Sequence, residues 1–169
     1  SALALKDACT AHGIRMVVPA AYLNEMAYHG LVGALDNLKA YKALPNEAQT
    51  ALKSSGNAYL SHFAHISETL EAQGENLTLE EFLEYFGLVA GRSLSRVENH
   101  IRSLLDNFGI KAIADERYEQ NARNQIVEEK PHDSNTVIDH DAIDVTMLKN
   151  DNTKGVIFAT WDKTLIKSV

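Results

Sequence analysis

Two β-branched runs stand far apart in this chain, Ile14-Arg15-Met16-Val17-Val18 and Gly155-Val156-Ile157-Phe158-Ala159-Thr160. A short apolar run bounded by turn residues suits a strand buried on both faces. Each run is bordered by helical pattern, and strands joined through helices pair in parallel by right-handed crossovers. The runs therefore predict an α/β fold: a small parallel sheet flanked by helices. The long stretch between them makes the chain helix-rich overall.

The helical reading follows from local signals. Leu3, Leu5 and Ala8 place a helix over 2–12, with Gly13 as its C-terminal stop. Pro19 ends the first strand and opens a helix over 20–28, closed by Gly30. Pro45 begins a segment whose apolar positions include Tyr59, Leu60, Phe63, Ile66 and Leu70, with Ser54-Ser55-Gly56 a break within it. Thr78-Leu79-Glu80-Glu81 is a capping box, because hydroxyl and carboxylate can each satisfy an orphan backbone N–H. Leu94, Val97, Ile101, Leu104, Leu105 and Phe108 recur every three or four residues, the clearest amphipathic helix in the chain. Ile110 to Ile113 reads as short and irregular, 115–129 as a surface helix, and 130–135 as a turn-rich linker.

At 169 residues the chain is long enough for one domain with a substantial core. No stretch approaches the apolar length of a transmembrane helix, and no export signal appears. The lone Cys9 permits no internal disulfide, suits a small core position, and fits a reducing, cytoplasmic compartment. The formal net charge of -7 argues against a strongly basic nucleic-acid-coating surface. The charge is uneven: 61–91 holds six Glu and no Lys or Arg, whereas 92–130 balances seven basic against seven acidic residues. That second stretch is open to a local basic face, with mixed ion pairs on a solvated face the simpler reading.

Doubly wound sheets bind ligands beyond the carboxyl ends of their strands. Three acids are expected there. Glu25 lies in the helix after the first strand, Asp141 starts the last helix, and Asp162 follows the second strand. Clustered carboxylates hold Mg²⁺ or Mn²⁺, and such metals activate water for phosphodiester cleavage. Asp144, one turn beyond Asp141, is either a fourth ligand or an exposed acid. Thr160 is placed to hydrogen-bond a substrate or its water. Each residue also has an ordinary explanation. Asp139 and Asp141 suit helix caps, Asp162 suits a turn, and Glu25 suits a helix surface. No His/Cys pattern has zinc spacing, and no phosphate-binding glycine loop or serine-hydrolase elbow is present. His140 could meet a phosphate and Trp161 a base, though an exposed histidine and a packed tryptophan are the simpler uses.

The stretch VVPAAYLNEM resembles the second strand and following helix of PIN-domain nucleases, with Glu25 on the family's acidic position. DAIDVTMLKND followed by GVIFATWDKTLI resembles the family's closing helix and strand, with Asp141 and Asp162 on two further acidic positions. The resemblance implies a metal-dependent nuclease acting on RNA or single-stranded nucleic acid, with Glu25, Asp141 and Asp162 coordinating Mg²⁺ or Mn²⁺. It also implies that 1–169 is one PIN-like domain carrying a helical insertion over 31–135, a surface for self-association or a partner. Two departures accompany it. The family's opening strand and its Asp are absent, so the chain reads as a piece of a longer protein with one ligand missing. The segment between the two motifs is also much longer than in small family members. The alternatives are a non-catalytic PIN-like interaction module and a mostly helical regulatory domain whose acids are caps.

Overall fold

The computed structural model describes residues 2–36, 38–42, 51–114 and 117–150. Of these, 69% are helical, and the strands are two parallel segments of three residues each. This overturns the expected PIN-like α/β sheet flanked by helices. Strand β1 is Val17–Pro19 and its partner β2 is Lys111–Ile113. The Lys111 N–H donates to the Met16 carbonyl beside them at 3.2 Å. Val17 is 41% exposed, whereas a central parallel strand is covered on both faces. The second expected strand, Gly155 to Thr160, lies outside the described residues, as does the expected helix start at Pro45. The stretch Ile110 to Ile113, expected to be irregular, supplies the pairing partner instead.

The chain divides into two units, Ser1–Val18 with Tyr22–Ala112, and Pro19–Ala21 with Ile113–Val169. The first holds most of the helices. Helix α1 spans Ala2–Ala11 and α2 spans Ala20–Tyr28. Pro19 ends β1 and α2 begins at the next residue, close to the sequence expectation. Gly30 does not end the helix. The chain continues as a π-helix over His29–Leu35, followed by α3 over Leu38–Lys42. The Asp36 N–H reaches the Leu31 carbonyl at 3.2 Å, the five-residue spacing of a widened turn.

Two glycines explain how neighbours approach this wide turn. A Cβ on Gly30 would run into the Leu88 side chain, and one on Gly33 into the Asn57 amide. Asn57 in turn starts α4, Ala58–Glu71. Its Oδ1 accepts from the N–H groups of Tyr59 and Leu60 at 3.0 and 3.3 Å, while its Nδ2 donates to the His29 carbonyl at 3.0 Å. One side chain therefore caps a helix and ties it to the π-helix.

Helix α5, Leu79–Tyr85, begins with the expected capping box: the Glu81 N–H donates to Thr78 Oγ1, and the Thr78 N–H donates to the Glu81 carboxylate. Helix α6, Leu94–Asn107, buries Val97 and Ile101, as its apolar spacing predicts. The core is Leu23, Ala27, Leu60, Phe63, Leu83 and Leu88 with their neighbours. Phe82 sits among Phe63 and Phe86, with ring centroids 5.6 and 5.2 Å away in tilted and edge-on arrangements. Tyr59 packs edge-on against Phe86 at 5.3 Å, and its hydroxyl donates to the Met26 carbonyl at 3.1 Å. Burial pushes that phenol up to about 12.

Among its described residues, the second unit contains a helical hairpin. Helix α7 spans Gln120–Glu129, and α8 spans Asn135–Asn150. The expected surface helix buries two anchors, Ala122 and Ile126, against Ile138, Ala142 and Val145 of α8. The expected linker contains the start signal of α8. Ser134 Oγ accepts from the Val137 N–H at 3.4 Å, and its carbonyl accepts from the Ile138 N–H at 3.0 Å.

Candidate functional site

Of the acids expected to share a crevice, Glu25, Asp141 and Asp144 fall among the described residues. Glu25 belongs to the first unit, and Asp141 and Asp144 belong to the second. Glu25 stands one turn before His29, with its carboxylate 3.4 Å from Nε2. Both side chains are substantially exposed, 35% for Glu25 and 54% for His29, so the pairing is a surface contact along the helix. Asp162 and Thr160 lie outside the described residues.

Asp141 is the most informative of the set. It was expected at the start of the last helix. Instead α8 begins at Asn135 and Asp141 lies two turns inside it. The reason is the Ser134 cap, which starts the helix earlier than either aspartate could. Ile138, Asp141, Ala142 and Val145 fall at i, i+3, i+4 and i+7, the spacing of one buried stripe. An aspartate in that stripe needs an internal partner, because an unpaired buried carboxylate is costly. Lys130, immediately after α7, supplies one. Its Nζ lies 2.7 Å from Asp141 Oδ2, with 12% and 11% of the two side chains exposed.

Asp139 is not a cap either. Arg123 Nε donates to its Oδ1 at 2.7 Å, and Arg123 Nη2 donates to Asn135 Oδ1 at 2.9 Å. The Asp139 carboxylate holds the Arg123 guanidinium above its ordinary range, chiefly through that hydrogen bond. Asp144, weighed as an exposed acid, is buried with 2% exposure. Thr146 joins the same polar seam. Its hydroxyl donates to the Ala142 carbonyl at 2.7 Å and accepts from the Glu119 N–H at 2.9 Å. Among the described residues, no buried side-chain nitrogen or oxygen lacks a hydrogen-bond partner.

Chemically, this seam binds two helices together. The carboxylate that a divalent cation would use on Asp141 already faces an ammonium. Among the described residues, no three His, Cys, Asp or Glu side chains are gathered as a metal would require. Sequence reasoning overlooked Lys130, Arg123 and Thr146. The signal was present: an acid in an apolar stripe calls for a cation on the facing helix end. Among the described residues, no helix is long and apolar enough to cross a membrane. No family model, curated protein or solved structure matches this chain.

Proposed function

We propose that this chain is a non-catalytic helical module that acts by interaction or regulation. The observation that carries this reading is the buried Lys130–Asp141 pair, which employs the foremost acid of the expected site in joining α7 to α8. Self-association through the helices of 31–135 belongs to the same reading. Val32 and Tyr85, both well exposed in the first unit, supply apolar surface for it. A cytoplasmic setting suits the single free Cys9.

The second reading is a nuclease using Mg²⁺ or Mn²⁺ on RNA or single-stranded nucleic acid. What favours it is the burial of Asp141 and Asp144 one turn apart on α8, since buried acids also mark sites of chemistry. One experiment separates the two. The chain and its Asp141→Asn variant are incubated with single-stranded RNA and DNA in Mn²⁺. The interaction reading expects no cleavage by either protein and reduced stability in the variant. Cleavage by the parent chain that disappears in a still-folded variant would replace it with the nuclease.

A further inference from the structure

The first unit contains a recess with no part in the acidic pattern. It lies between the end of α3, the last turns of α4 and the loop leading into α5, and its volume is about 300 Å³. That is the lower end of the range for small-molecule sites. Its wall is aromatic. Tyr41 and Phe63 meet edge to face with centroids 5.6 Å apart. Ser67, Glu71 and Asn76 contribute polar groups, and neither the Glu71 carboxylate nor the Asn76 side-chain amide is engaged in a hydrogen bond among the described residues.

The recess is lined by one acid, Glu71, and one base, Lys42. Glu71 is the last residue of α4, a helix of 14 residues, and the last turn of α4 holds no basic residue. A helix C-terminus carries partial negative charge, so a carboxylate there is unfavourable and a cation is favoured. Glu68, in the same turn, is matched by Lys53 at 2.6 Å. Among the described residues, Glu71 has no such counterpart. The cation within the wall, Lys42, is held 2.6 Å from Glu80. The Tyr41 phenol is raised above its ordinary value by burial and then by the Glu71 charge, which places that charge beside the ring.

We propose that this recess binds an alkylammonium group, with Glu71 as the counter-ion, the Tyr41 and Phe63 rings as the apolar and cation–π wall, and Asn76 as an acceptor for an ammonium hydrogen. The proposal goes beyond the interaction reading and does not depend on it. The ammonium can belong to a free small amine or to a lysine side chain of another protein.

The test is a titration of the full chain followed by NMR, using 1,5-diaminopentane, the peptide acetyl-Gly-Lys-Gly-amide, and neutral 1-pentanol. The diamine shifts the amide signals of Tyr41, Ser67, Glu71 and Asn76 with a Kd of about 1 mM, and pentanol does so at least about tenfold more weakly. Matching shifts with the peptide identify a protein lysine as the source; shifts with the diamine alone identify a free amine. Glu71→Gln weakens binding about tenfold while leaving the fold intact, because it removes an exposed anion from the negative end of a helix. Tyr41→Leu, checked by circular dichroism, weakens it independently. No shifts with either amine up to about 10 mM, equal binding of pentanol, or unchanged affinity in Glu71→Gln overturns the proposal.

Discussion

The two units solve the problem of burying a helix face in different ways. The first interlocks aromatic and aliphatic side chains, with Phe63, Phe82, Leu83 and Leu88 at its centre. The second has a small core of Ala122, Ile126, Ile138, Ala142 and Val145, and beside it buries Asp141, Asp144 and Thr146. Dispersion and apolar burial are non-directional and depend on filling space. Ion pairs and hydrogen bonds are directional, and a missing partner leaves the other desolvated. The first unit should therefore respond to lost volume, and the second to lost partners.

The largest expected effect is in the aromatic core. Phe82→Ala removes a ring that is 6% exposed and packs against the rings of His62, Phe63 and Phe86, and should lower unfolding free energy by about 4 kcal/mol in urea denaturation. A loss under about 1 kcal/mol would show that this core collapses around the void, and would break the contrast.

Asp141→Asn should cost about 3 kcal/mol, because it removes the carboxylate that faces the largely buried Lys130 ammonium between two helices. The double variant Lys130→Met/Asp141→Leu should recover most of that loss, since an apolar pair of similar volume avoids the desolvation of two charges. Failure of the double variant to recover would mean that the pair fixes the hairpin's register and does more than satisfy itself. Both are read from thermal and urea unfolding.

Asn57→Ala tests the polar exception inside the first unit. It removes the α4 cap and the bond to His29, and should cost about 1.5 kcal/mol. Hydrogen exchange should show faster opening of the π-helix as well as of the first turn of α4. Faster exchange in α4 alone would mean that the π-helix is held by Gly30 and Gly33 packing.

The smallest effect is at the capping box, where Thr78→Ala should cost about 1 kcal/mol. It also has a pH signature. Backbone and side-chain hydrogen bonds from Thr78 hold the Glu81 carboxyl below its ordinary value of 4.5. A depressed folded-state value stabilises above the unfolded value and is lost as pH falls through the folded one. The stability difference between parent and variant should therefore shrink below about pH 4.5 in a series of thermal melts. A difference that stays constant down to about pH 2 would remove the carboxylate from the account.

Local signals were legible to different degrees in the two units. The Thr78–Glu81 box and the apolar stripe of α6 could be read because both use residues within one or two turns. The strands could not. Ile14 to Val18 has the composition of a buried strand, yet only Val17 and Val18 of it enter β1, and Val17 is 41% exposed. Strand formation depends on what pairs with and covers the segment. The partner proved to be Lys111–Ile113, with a basic residue at its start. The π-helix was hidden for a related reason. Gly30 alone signals a helix end, and the widened turn exists with Asn57 and Leu88 packed against it.

The acids mark the same boundary most sharply. By itself the sequence determined which side chains are charged, which helices are amphipathic, and that an aspartate stands in the apolar stripe of the last described helix. Those are properties of residue type and of the 3.6-residue period, and they need no partner. Only the tertiary structure decided what the aspartates do. A carboxylate is a metal ligand, a cap or half of an ion pair according to what lies within about 3 Å of it, and that neighbour comes from another element of the chain. For Asp141 one such neighbour is Lys130, eleven residues away in sequence and 2.7 Å away in space.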